Sequence, residues 1–270
     1  MLIVKKIYIF AKKTMNALLT RKIELLLTVL ISVLVLSCTN KKEPNSGVVI
    51  DGTVTDICGN KYKVITIGDQ SWMAENMRCN TYDTQSEKAG KKIDYVDASD
   101  KSQWEFYECL KLSDEQVNKL GYLYHGKRIY DITISTNTNI QSICPNGWHI
   151  PSPKDVVNLA NYGTGNSTSS EFDSESGKKL KSVNGWFSCD ETYKQGTDLY
   201  SYNALPSGGI NSDGKIRGIG KYGGFISAGD YSLWGHSYPY VYCSLEYCSN
   251  ELKTIKMYPE GYYSIRCVKD

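Results

Sequence analysis

The order of apolar and polar positions divides the chain into a leader, a tether and a long region of short elements. The first sustained apolar run, Leu25 to Leu36, is broken only by Thr28 and Ser32. A run of about a dozen residues suits the core of a signal peptide and falls short of the roughly 20 needed to cross a bilayer as a helix. Residues 39–47 (TNKKEPNSG) are polar without periodicity and read as a tether. From Val48 the pattern turns strand-like. Tyr62, Val64 and Thr66 alternate with Lys63, Ile65 and Ile67, and Gly68-Asp69 offers a tight turn before Trp72.

Two helices are predicted from their caps. Ser113, with Gln116 three residues later, forms a capping box, and Gly121 stops the helix after Leu120. Ser152, Pro153 and Asp155 open a second helix, whose apolar stripe is Val156, Leu159 and Ala160 and which Gly163 ends. A third is expected over about residues 175–183. After Gly185 nearly everything reads as strand and turn. Tyr238, Tyr240 and Tyr242 share one strand face, and Pro239 marks either an edge strand or a bulge. Residues 261–268 read as a closing strand. Strands early, helices in the middle and strands late predict an α+β domain over residues 48–270 whose two ends meet.

The leader carries Lys5, Lys6, Lys12, Lys13, Arg21 and Lys22 ahead of the apolar run, which ends in Val35-Leu36-Ser37-Cys38. That ending resembles the lipobox of bacterial lipoproteins. The resemblance implies cleavage after residue 37, transfer of a diacylglycerol bearing chains such as palmitate to the Cys38 thiol, and anchorage at the outer membrane, facing the cell surface or the periplasm. Met15 to Cys38 is a complete signal by itself, so translation could begin at either Met1 or Met15. Loss of the leader removes six basic residues and one acidic residue, leaving 25 against 28, and the formal charge turns from +2 to −3. Nucleic acid thereby loses its electrostatic motive as a partner.

Eight cysteines follow Cys38, an even number in an exported chain, which favours disulfides over metal or redox chemistry. The candidates are Cys58, Cys79, Cys109, Cys144, Cys189, Cys243, Cys248 and Cys267. The chain also holds 21 Tyr against 5 Phe, concentrated late, as suits a loop-rich extracytoplasmic domain better than a cytosolic enzyme.

Six blocks in order carry a family resemblance: YKVITIGDQSWMAENM from Tyr62, Gly121-Tyr-Leu-Tyr124, CPNGWHIPS from Cys144, Gly177 to Trp186, Asn203 to Gly209, and SIRCVKD from Ser264. The chain resembles the Fibrobacter succinogenes major paralogous domain, found in surface lipoproteins of Fibrobacter and Bacteroides-type bacteria. The resemblance implies a common core pinned by a Cys144–Cys267 pair, with the other cysteines as additions. Trp148-His-Ile-Pro-Ser152 followed by a helix is similar to an element of C-type-lectin-like and formylglycine-generating-enzyme-like folds. The expected fold is therefore a C-type-lectin-like α+β domain of twisted antiparallel sheets, two to three short helices and long loops.

No catalytic constellation is written in the sequence. There is no G-x-S-x-G, and His125, His149 and His236 lack the spacing of a zinc site. Cys243-x4-Cys248 beside His236 reads as disulfide chemistry, either one small loop or two separate bridges, rather than as a metal site. No cofactor is expected; a calcium site assembled from distant loops would leave no local motif. Glu75 and Asn76 are expected to hydrogen-bond loop backbone. The positive signal is aromatic. Tyr231, Trp234 and Tyr238 are expected to be exposed in loops and to meet a glycan or a protein. The expected function is a lipid-anchored, non-catalytic binding or adhesion module. The alternatives are a structural component of a cell-surface complex and an enzyme of unnamed chemistry.

Overall fold

The alternating segment after Gly59 forms β2 (Lys61–Ile67), which pairs antiparallel with β1 (Val49–Thr55) before it and β3 (Gln70–Met73) after it. The structure is a computed structural model that describes residues 49–81, 95–100, 102, 113–126, 129, 143–164, 172–189, 196–210, 215–233 and 236–270. Cys38, Cys109 and Trp234, with the leader and tether, lie outside them. Gly68 takes a φ of 64° in the β2–β3 turn, where a side chain would be strained.

Both faces of β2 are covered. Tyr62 and Val64 enter one apolar cluster with Met73, Tyr124, Trp148 and Tyr242. Ile65 and Ile67 enter a second cluster with Trp72, Trp186, Tyr202 and Phe225. Trp72, fully buried, meets the rings of Tyr202 and Phe225 edge-on, each at 5.8 Å. The chain's last strand, β13 (Val268–Lys269), inserts between β3 and β6 (Trp148–His149). The early and late segments thus share one sheet, in the order β1-β2-β3-β13-β6.

Two further sheets position the site. One runs β11 (Leu252–Lys256), β10 (His236–Glu246), β9 (Tyr222–Leu233). The other runs β4 (Tyr95–Asp97), β5 (Tyr122–His125), β12 (Tyr262–Ser264), β7 (Ser207–Ile210), β8 (Ile216–Ile219). Every ladder between these strands is antiparallel. The register of β10 against β9 shifts between Tyr238 and Tyr240, so Pro239 sits at a bulge, where its missing N–H costs no ladder bond.

The caps read from sequence are formed. Ser113 and Gln116 exchange both capping-box bonds at the head of α1 (Asp114–Val117), and Ser152 and Asp155 do so for α2 (Pro153–Ala160). The third helix, α3 (Ser176–Leu180), is shorter than expected. The C-type-lectin-like α+β expectation does not hold. The described helices run only 4, 8 and 5 residues, and the fold is a β-rich set of antiparallel sheets. The Trp148-to-Ser152 element misled because a strand end, a proline turn and a capped helix form a local device, compatible with many sheet arrangements.

Three disulfides close the described chain: Cys58–Cys79, Cys144–Cys267 and Cys189–Cys248. Cys243 is a correction. It is a free, fully buried thiol, because the phase of β10 turns it inward with Val241 and Leu245, while Cys248 lies beyond the strand and meets Cys189.

Candidate functional site

The outward phase of β10 carries Tyr242, Ser244 and Glu246, and these residues line a cleft of about 660 Å³. Its other walls come from β7, β8 and β12, the start of β9, the end of β11 and residues 258–261. Five tyrosines line it: Tyr222, Tyr242, Tyr258, Tyr262 and Tyr263. A cleft of this size falls in the range of small-ligand sites, roughly 300–1,000 Å³.

Each ring is positioned by a local device. Tyr222 stands opposite Glu246 in the β9–β10 ladder. Gly218, at φ 73°, lets the Tyr222 ring lie where a Cβ would come within 2.5 Å of it. The Tyr263 hydroxyl accepts from the Tyr258 N–H at 2.8 Å and donates to the Tyr258 carbonyl at 3.3 Å, which pins the loop bearing Tyr258. Tyr263 also packs on Tyr242 with ring centres 5.1 Å apart, and Tyr262 meets His125 edge-on at 4.8 Å. Exposure is graded: Tyr242 is buried at the floor, whereas Tyr222 is 45% and Tyr258 63% exposed.

Burial raises the Tyr242 and Tyr263 phenols above their ordinary range, so both stay protonated, the Tyr263 proton being given to the Tyr258 carbonyl. Both carboxylates of the lining have a nitrogen neighbour. Glu246 faces Lys253 at 3.5 Å and Glu260 faces His125 at 3.7 Å. Arg217 completes the lining, and Gly208, Gly209 and Gly261 expose backbone along it.

The candidates read from sequence fall partly elsewhere. Tyr231 and Tyr238 are not loop residues: they pair across the β9–β10 ladder, because both strands run on past the bulge. Trp234 lies outside the described residues, as does the side chain of Tyr231. Tyr238 is half-buried, and the Lys256 ammonium lies 5.6 Å from its ring and 5.4 Å from that of Tyr258. Tyr238 therefore adjoins the cleft without lining it. Tyr222, Tyr258, Tyr262, Tyr263, Arg217, Glu246 and Glu260 were not singled out in the sequence. A usable signal was present in glycines set close to tyrosines, at Gly218/Tyr222 and Gly261-Tyr-Tyr263.

The model of the Fibrobacter succinogenes major domain matches residues 65–269. The chain belongs to that family. No curated protein and no solved structure matches it. The family match contains every residue of the cleft and both cysteines of the Cys144–Cys267 disulfide, whereas β1 and Cys58 precede it.

Other polar groups are engaged in structure. Asn76 donates to the Leu120 carbonyl at 2.9 Å and accepts from buried Arg266 at 2.9 and 3.1 Å. Glu75, expected to bond backbone, instead pairs with Arg78 at 2.6 Å. Asp56 stands beside Cys58 and Cys79 in a grouping that could hold a metal, but the disulfide leaves no thiolate to bind one. Lys181 is buried and donates to the Glu246 and Ser249 carbonyls at 3.0 and 2.8 Å, fixing the β10–β11 connection behind the cleft. Burial brings its ammonium down to about 8. Burial pushes the Cys243 thiol above its ordinary range, so it is no nucleophile.

His149 joins two carboxylates, Asp155 through Nε2 at 3.1 Å and Asp270 through Nδ1 at 2.7 Å. The bond to Asp155 raises the imidazole pKa, and Asp270 adds to it against the cost of burial. Burial alone would raise Asp155, but His149 and the hydroxyl and amide of Ser152 together bring it down to about 2. This cluster ties the cap of α2 to the chain's end.

Proposed function

We propose that this chain is an exported, lipid-anchored binding module that holds a glycan in the tyrosine cleft without acting on it chemically. The observation that carries this reading is the cleft itself, with five tyrosine rings converging on about 660 Å³. A phenol ring offers an apolar face and a polar tip, which matches a sugar's C–H face and hydroxyl rim. Concavity favours a glycan over a protein partner, since a stable protein interface spreads over roughly 800 Å² on each side. A general acid for glycoside cleavage needs a desolvated carboxyl, and Glu260 is 79% exposed while Glu246 is engaged by Lys253. No catalytic residue is therefore named.

Anchorage rests on the leader and Cys38. The lipid would hold the domain at the outer membrane, facing the surface or the periplasm. Growth with an alkyne analogue of palmitate should label the chain, and Cys38→Ala should abolish both the label and sedimentation with membranes. Ligand binding is tested by probing a glycan array with the full chain, extracted from membranes in detergent. Selective binding lost in Tyr222→Ala supports the reading. A blank array from protein that melts cooperatively refutes it and leaves the surface-complex role.

A further inference from the structure

Building on the glycan reading, we propose that the ligand is a linear oligosaccharide whose chain leaves the cleft over Tyr258 and reaches an outer subsite formed by Lys256 and Tyr238. The aromatic surface does not stop at the cleft mouth. Tyr258 lines the cleft and is 63% exposed, so its ring serves both the interior and the rim. The Lys256 ammonium lies 5.4 Å from that ring and 5.6 Å from the ring of Tyr238, bridging the two.

The backbone beneath each part of the bridge is held in place. Lys256 pairs with Val241 in the β10–β11 ladder, Tyr238 sits at the β10 bulge, and the Tyr263 hydroxyl holds both backbone groups of Tyr258. Rings held before the ligand arrives lose little freedom on binding, which favours affinity.

Lys256 also differs from its neighbour on the same strand. Lys253 is matched by Glu246, whereas no carboxylate among the described residues pairs with Lys256. An ammonium held between two rings, with no carboxylate partner among the described residues, has donors to spare. Sugar hydroxyls are suitable acceptors, and the flanking phenols supply stacking faces on either side. A single sugar in the cleft could not use these groups. A chain of several could.

The test measures dissociation constants of the full chain for malto-, cello-, xylo- and manno-oligosaccharide ladders, from the monosaccharide to about the hexamer. In at least one ladder the longest member should bind about tenfold or more tighter than the shortest, about 1.4 kcal/mol. Lys256→Met and Tyr238→Ala should each erase most of that gain and leave the shortest bound member unchanged; thermal melting identifies any variant that fails to fold, and the other then decides. Affinity that does not grow with length, or a gain untouched by both substitutions, overturns the outer subsite and leaves the cleft reading standing. No binding by any member of any ladder overturns both.

Discussion

The two faces of β10 carry different tasks on one strand. Val241, Cys243 and Leu245 point into the cluster around Trp72, wholly out of water. Tyr240 and Tyr242, one step out of phase, pack into the other cluster, and Ser244 and Glu246 carry that face on to the cleft. Strand alternation thus separates residues that hold the sheet together from residues that shape a cavity, within seven positions of sequence. Substitutions on the first face should lower stability and leave the binding of folded protein alone. Substitutions at the cleft rim should do the reverse.

Three substitutions test that contrast, from the largest effect on stability to the smallest, and a pH series adds a fourth prediction. Leu245→Ala should cost about 2–5 kcal/mol in urea unfolding, since it removes a fully buried side chain and leaves a cavity. Gly218→Ala should cost about 1–2 kcal/mol, because residue 218 holds a left-handed φ and its new Cβ collides with the Tyr222 ring. This variant tests the boundary between the two tasks, since it should also weaken binding by displacing that ring. Tyr222→Ala, at a half-exposed position, should change stability by no more than about 0.5 kcal/mol. Its glycan affinity should nonetheless fall about tenfold or more.

The fourth prediction is a pH dependence set by the His149 cluster. The folded pKa of His149 is raised, so its contribution is complete below the ordinary 6.5 and fades as pH climbs through the folded value. Asp155 is depressed to about 2, so its contribution is present above the ordinary 3.8 and is lost as pH falls through about 2. Both contributions are therefore complete only between those ordinary values. Unfolding midpoints measured at about pH 5 and about pH 8.5 should show a loss at the higher pH that His149→Gln lacks. Binding should follow neither limb, since the cluster lies away from the cleft lining.

What was legible in the sequence follows how local each signal is. The helix caps at Ser113 and Ser152 were legible because a cap is settled within four residues. Pro239 was legible as an edge or a bulge for the same reason, since a missing N–H matters only to the adjoining ladder. The cleft was not legible. Its walls join residues from Gly208 to Tyr263 across two sheets, and no periodicity states which sheets face each other. Tyrosine enrichment pointed to the part of the chain that supplies the cleft's rings, but a preference for loops selected Tyr231 and Tyr238, which extended strands carry instead. Cys243 shows a related failure. Counting thiols suggests that every one has a partner, whereas strand phase decides which way a thiol points.

The most direct test of the account compares the wild-type chain with Tyr222→Ala and Tyr258→Ala by calorimetric titration of the tightest-binding glycan from the array, alongside thermal melts. The melts should coincide, and binding should weaken about tenfold or more in both variants. Unchanged affinity in two well-folded variants would contradict the account and move the binding site away from the tyrosine cleft.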